Sequence, residues 1–315
     1  IFIDSIHSSS ANSSGGCIFI QRIIFMENLT DISVIKDIFE RHGFSFSKAL
    51  GQNFLINPSV CPKIAEMGLE RRDMSKSGIG VIEIGTGIGV LTHELAKRAD
   101  KVVAIEIDSR LIPVLNETLA EHKNVTVINA DVMKIDLKEV IDEHFKDMEV
   151  AVCANLPYYI TSPIIMMLLE SRLPISAITV MVQKEAGVRL CAELGTRDVG
   201  AVTAAVRYYS EPERLFNVSR GSFMPAPNVD SCVIKLNVRK DNAYNVDDET
   251  FFFKTVRGAF SQRRKNLLNS LSSSLGIEKS RIAEAVEAAG LSANVRPEQL
   301  QMEDFIRVAE ELKKC

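Results

Sequence analysis

Six cysteines (Cys17, Cys61, Cys153, Cys191, Cys232 and Cys315) are scattered along the chain with no C-x-x-C pair among them. That lack of paired spacing argues against a zinc site and against a disulfide framework, and it fits a reducing, cytoplasmic setting. Also missing is any apolar run near the ~20 residues of a membrane helix; the longest candidates, 164–169 and 178–182, are far shorter. No membrane partner is expected. Residues 1–25 carry one Arg and no Lys, so they have neither the basic start of a secretory signal nor the Arg-rich character of a transit peptide. They read as a leader outside any domain, with Met26 as the expected natural start.

A chain of 315 residues with 46% hydrophobic content has room for two domains and a large core. Its net charge of −4 hides an asymmetry: residues 81–150 hold 8 Lys/Arg against 14 Asp/Glu, whereas residues 207–265 hold 11 against 7. An acidic half beside a basic half is compatible with a polyanion held over one face.

Ile32, Ile35, Ile38 and Phe39 have helical spacing, closed by a cap signal at His42-Gly43. Asn57-Pro58 opens a second helix expected to turn Val60, Ile64 and Met67 inward. Val81-Ile82-Glu83-Ile84-Gly85-Thr86-Gly87-Ile88-Gly89 then reads as strand, glycine turn and helix start, where backbone N–H groups can approach a ligand. The next strand, Lys101 to Glu106, ends in an acid about 20 residues after the first glycine, the position at which a ribose diol is bound. Val125 to Asp131 is a third strand ending in an acid, and Val150 to Ala154 a fourth, ending in Asn155. In a doubly wound, mostly parallel sheet these four strand ends share one crevice. The spacing Gly85-x-Gly87-x-Gly89 differs from G-x-G-x-x-G, and a nucleoside carrying an amino acid suits it better than a dinucleotide, although spacing alone leaves both open.

Asn155-Leu156-Pro157-Tyr158 gives the crevice its chemistry. Proline has no N–H and a fixed φ, so it ends the strand and keeps nearby carbonyls out of a ladder. Asn155 adds a side-chain carbonyl, and Tyr158 a flat face for a base. Such a corner suits an exocyclic amine, whose two hydrogens need acceptors and whose ring needs a stacking partner. The same four residues are also common in an ordinary strand-ending turn.

Glu83-Ile84-Gly85-Thr86-Gly87 and Asn155-Leu156-Pro157-Tyr158, joined by Glu106 and Asp131, resemble the S-adenosylmethionine-dependent adenine-N6 methyltransferases. Gly51-Gln52-Asn53-Phe54-Leu55, Gln183-Lys184-Glu185, the stretch Ser222-Phe223-x-Pro225-x-Pro227-x-Val229-Asp230-Ser231, and Phe260-Ser261-Gln262-Arg263-Arg264-Lys265 narrow the resemblance. From about Phe44 to the C-terminus the chain is similar to the small-subunit ribosomal RNA adenine-N6,N6-dimethyltransferases, which modify two adjacent adenosines near the 3′ end of that RNA. The resemblance implies a Rossmann-like methyltransferase and the cofactor S-adenosylmethionine. Gly85 and Gly87 then face the methionine part, Glu106 the ribose hydroxyls and Asp131 the adenine amine. Asn53 and Leu55 cover the cofactor. Asn155 serves both cofactor and base, the acceptors for N6 are its side chain and the Leu156 or Pro157 carbonyl, and Phe223 is a second aromatic against the base opposite Tyr158. No metal is called for, and Cys153, inside an apolar run, is read as core rather than nucleophile.

Cys232 to Leu236 reads as an edge strand. The expected organisation is a methyltransferase domain over 26–240, a polar linker over 241–249 and a small all-α domain over 250–315. Arg257, Arg263, Arg264 and Lys265 form its expected RNA-contacting face, as against a merely solvated helix surface. The implied partner is small-subunit ribosomal RNA within an immature 30S particle, met by a monomeric cytoplasmic enzyme. Two other readings stand beside it: a resistance-type enzyme acting on one large-subunit adenine, and a non-catalytic RNA-binding factor on the same scaffold.

Overall fold

The computed structural model describes residues 28–45, 52–70, 73–241, 243–262 and 264–314. The expected leader over 1–25, Met26 and Arg263 lie outside the described residues.

Helix α1 (Ile32–Arg41) starts where the Asp31 side chain accepts from the Ser33 N–H, and ends at His42 before Gly43, whose φ of +59° favours glycine. Strand β1 (Phe54–Leu55) precedes α2 (Val60–Gly68), which buries Val60, Cys61, Ile64, Ala65 and Gly68. Met67, expected inside, is 36% exposed. The buried stripe follows i, i+4, i+8 from residue 60 together with 61 and 65, and position 67 falls off that face.

The central sheet has seven strands: β2 (Ile79–Ile84), β3 (Lys101–Glu106), β4 (Val125–Asn129), β5 (Glu149–Asn155), β6 (Ile175–Gln183), β7 (Ser210–Val218) and β9 (Ser231–Val238). Their order is β4-β3-β2-β5-β6-β9-β7, parallel from β4 to β6 and antiparallel thereafter. Helices α3 (Val90–Ala96), α4 (Ile112–Thr118), α5 (Leu137–His144), α6 (Tyr158–Glu170), α7 (Lys184–Leu190) and α8 (Ala201–Tyr209) connect them. Both faces of the sheet are covered, which is why β2 and β5 are near-continuous apolar runs. Val81, Val102, Ala151, Cys153 and Met181 pack with α2 and α3, while Ile82, Val103, Val152, Ile178 and Val180 pack on the opposite face. The expected α/β doubly wound fold is therefore present.

The strand read as an edge, β9, is an inner one between β6 and β7. The true edge is β7, whose Glu-Pro-Glu-Arg stretch hides its strand character. Charges and a proline are what an exposed edge carries to resist pairing with another chain.

Helices α9 (Glu249–Ala259), α10 (Leu267–Leu275), α11 (Lys279–Ala288) and α12 (Met302–Lys314) follow. Helix α9 begins at the end of the expected linker, capped by the Asp248 side chain accepting from the Phe251 N–H. Phe252 and Phe253 pack against Tyr208, with ring centroids 5.3 and 5.1 Å away, and Phe253 stacks on Tyr209 at 5.3 Å. The apolar core thus runs from the sheet into the C-terminal helices.

Candidate active site

The parallel order changes direction between β2 and β5: β3 and β4 lie on one side of β2, and β5 and β6 on the other. Ligands of such sheets bind outside the carboxyl ends at this reversal. Ile84 pairs with Ala154, so the two strands deliver Gly85 and Asn155 side by side. A cavity opens there, lined by Asn53, Leu55, Gly85, Gly87, Glu106, Asp131, Asn155, Leu156, Pro157, Tyr158 and Phe223. All the cofactor and base candidates read from the sequence are therefore brought together. Arg257, Arg264 and Lys265 are exposed at and beyond the end of α9 and do not line this cavity.

The glycine turn leaves room for a ligand. Gly85 and Gly87 have φ of +75° and +61°, a conformation that L side chains adopt at a cost. A Cβ on Gly87 would come within 3.3 Å of the Phe54 ring, and one on Gly85 within 3.5 Å of Leu156. Glu106 is 4% exposed, and its carboxylate accepts from the Gly87 N–H at 2.9 Å and the Asp108 N–H at 2.8 Å. Burial pushes its pKa up, against those backbone donors. A carboxylate has lone pairs beyond these two bonds, so it can still accept from a diol. Asp131 lies two residues past the end of β4, with one oxygen accepting from the Met133 N–H and the other 3.3 Å from the Lys134 ammonium.

The Asn155 amide hydrogen-bonds to no described side chain or backbone group. The Pro157 carbonyl is engaged twice, by the Ile160 N–H and the Thr161 hydroxyl, each at 3.1 Å. Of the two carbonyls considered for N6, the Leu156 carbonyl is the one with no described donor. The Tyr158 hydroxyl lies 2.6 Å from Ser231 Oγ, and burial raises its pKa, so the phenol is neutral. Asp230, beside Ser231, accepts from the Lys184 N–H through its carbonyl and from the Arg220 N–H through its carboxylate. These bonds tie the motifs around Gln183 and Val229 to the cavity wall.

Two features escaped the sequence reading. Leu55 pairs with Phe223 across a two-stranded ribbon formed by β1 and β8 (Phe223–Met224), so the segment over the cofactor crevice and the second aromatic are one unit. The Gln52 amide reinforces this by donating to Asp108 at 2.9 Å. The second feature is Glu83, in the last, turn-facing part of β2. It is 1% exposed, lines the cavity, and its Oε2 is buried with no hydrogen-bond partner. Burial pushes its pKa up to about 8, opposed by the neighbouring Thr92 hydroxyl and helped by the Glu106 charge. Cys153 is fully buried in β5, and Cys61, which lines the cavity, is 1% exposed; burial drives both thiols well above the ordinary range. A neutral buried thiol is a poor nucleophile.

The groups present fit S-adenosylmethionine. An unpartnered carboxyl oxygen of Glu83 suits an ammonium, the Glu106 carboxylate suits a diol, and the space a Cβ would fill at Gly85 and Gly87 admits a chain between them.

A model of the family described as ribosomal RNA adenine dimethylase matches residues 43–314. A protein from Bacillus mycoides (strain KBAB4) called ribosomal RNA small subunit methyltransferase A is 48% identical over 294 residues, covering 91% of this chain and 98% of its own. Its namesake from Bacillus anthracis has the same identity and coverage. Among solved structures, a dimethyladenosine transferase from Plasmodium falciparum aligns with TM-score 0.65 at 26% identity, over 83% of this chain and 98% of that one. The 23S rRNA methyltransferase ErmE aligns with TM-score 0.61 at 28% identity, over 82% and 99%.

Proposed function

The chain belongs to the ribosomal RNA adenine dimethylase family, and from that premise we propose that the cavity at the ends of β2, β3, β4 and β5 is where adenine N6 is methylated. The protein is an S-adenosylmethionine-dependent methyltransferase that dimethylates adenine N6 of small-subunit ribosomal RNA. The finer reading is ours: two adjacent adenosines near the 3′ end of 16S RNA, in an immature 30S particle, modified in the cytoplasm by a monomer. In the same reading 26–240 is the methyltransferase domain, 241–249 a linker and 250–315 the RNA-contacting helical domain, with Arg257, Arg264 and Lys265 meeting phosphates. Among the described residues no helix is long and apolar enough to cross a membrane.

One observation carries the assignment: the unengaged Asn155 amide and Leu156 carbonyl stand at a single cavity wall with Tyr158 and Phe223. When bound, S-adenosylmethionine supplies an electrophilic methyl group. Glu106 holds the ribose side of the crevice, Asp131 the adenine side, and Gly85 and Gly87 the methionine side, with Asn53 and Leu55 above. The N6 lone pair of adenine is delocalised into the ring. Asn155 and the Leu156 carbonyl accept its two hydrogens, turn the amine toward the donor and favour positive charge developing on nitrogen. Tyr158 and Phe223 hold the flipped base at that angle. Alignment of the reacting atoms then supplies most of the acceleration, and the surplus proton leaves to water. No side chain has to titrate in the chemical step.

The test is transfer of labelled methyl to immature small subunits, compared with large subunits and protein-free RNA. Label recovered as N6,N6-dimethyladenosine in small-subunit RNA is expected. Label only in large-subunit RNA would establish the resistance-type reading instead, and no transfer at all the non-catalytic one.

A further inference from the structure

Tyr158 and Tyr159 are consecutive at the start of α6, yet their surroundings differ. Tyr158 is half-buried and tied to Ser231. Tyr159 lines the same cavity but is 64% exposed. Successive helical residues point about 100° apart, so one ring enters the cavity and the next stands at its mouth.

Tyr159 is not alone there. Eight large apolar side chains are exposed among the described residues, and two of them, Ile107 and Tyr159, line this cavity. Ile107 follows β3 and Tyr159 follows β5, while Met133 lies four residues beyond β4 and Val229 two residues before the antiparallel β9, also at the carboxyl-end side of the parallel strands. A large aromatic ring left exposed at the mouth of a cavity is available to a ligand that covers that mouth. Lys184 and Arg220 are both exposed and held by backbone bonds to Asp230, the neighbour of the Ser231 that bonds Tyr158. Neither forms an ion pair with a described residue, and their charges suit phosphate.

Extracting a base from its stack leaves its neighbour with a bare face, and an exposed aromatic ring is the chemical replacement for the missing neighbour. We propose that Tyr159 is the platform on which the nucleotide adjacent to the target adenine stacks, with Lys184 and Arg220 meeting the phosphates of that step. The proposal rests on the adenine-methylation reading above. It assigns to Tyr159 a role distinct from that of Tyr158: the inner ring positions the target, and the outer ring fixes the register of the strand.

Full-length wild type, Tyr159→Phe, Tyr159→Leu and Tyr159→Ala are compared on unmodified small subunits, with cofactor affinity measured separately by calorimetry. Loss of a stacked base predicts a rise in the KM for RNA of about 5- to 150-fold for Ala and Leu. Phe should stay within a few-fold of wild type, and cofactor affinity should be unchanged in all four. A second readout is an RNA oligonucleotide carrying 2-aminopurine beside the target adenine. Its fluorescence should be quenched on binding wild type and Tyr159→Phe, and not the Leu or Ala variants. An unchanged KM for Tyr159→Ala, or equal behaviour of Leu and Phe, would overturn the proposal. If wild type transfers no methyl to any RNA, the functional reading fails, while the quenching experiment still decides whether Tyr159 stacks a base.

Discussion

Glu83 sits in an environment far from what a carboxylate ordinarily occupies. A carboxyl in an apolar wall, with Glu106 nearby, loses its proton near pH 8 in the folded chain, against 4.5 ordinarily. Between those values the native state holds more protons than the unfolded one, so this group makes stability fall as pH rises through that window and level off above it. Glu83→Gln copies the neutral acid and removes the slope. The expected outcome is a melting temperature that exceeds wild type by more at pH 8.5 than at pH 5.5; an equal difference at both would refute the assignment. Glu106, Asp131 and Asn155 were legible in the sequence because each ends a strand at a regular βα interval, and position alone gives such residues a shared crevice. Glu83 and Tyr159 were not assigned, because their roles come from degree of burial, which the local pattern around them does not encode. That the Pro157 carbonyl already accepts twice, which leaves Leu156 as the carbonyl we propose for N6, is likewise visible only at the helix start in the structure.

The elements read from periodicity, from α1 through the glycine turn to the C-terminal helices, are present with boundaries moved by a few residues. Apart from Met67, which falls off the buried face of its helix, the failures have a common cause in long-range pairing. Strand β9 looked like an edge because its neighbour β7 is charged and contains Pro212, and the β1–β8 ribbon is too short for any pattern. That ribbon nevertheless joins the cavity-lining Leu55 to Phe223. Phe54, in β1, packs edge-on against Phe39 and Phe44, with centroids 5.3 and 6.3 Å away, and against the open side of Gly87. Phe54→Ala is therefore expected to cost about 3 kcal/mol or more in stability and to weaken cofactor binding. Denaturant unfolding and calorimetry would check both, and a variant with wild-type cofactor affinity would show that the ribbon does not shape the crevice.

Over the whole molecule the acidic region 81–150 contains the cavity-lining Glu83, Glu106 and Asp131, and the basic region 207–265 contains the exposed Arg257, Arg264 and Lys265, for which we propose phosphate contact. Replacing Arg257, Arg264 and Lys265 together with Gln should weaken RNA binding and reduce the slope of log affinity against log salt by roughly 2, about 0.7 for each phosphate no longer neutralised. Cofactor affinity should not change, because none of the three lines the cavity. An unaltered salt slope would mean that these charges are merely solvated. In the reaction proposed, catalysis is alignment of an amine by fixed acceptors. Its most direct measurement is single-turnover methyl transfer by Asn155→Ala on small subunits, beside calorimetric cofactor binding. A fall in rate on the order of 10²- to 10³-fold, with cofactor affinity within a few-fold of wild type, is the predicted result; transfer at the wild-type rate would contradict it.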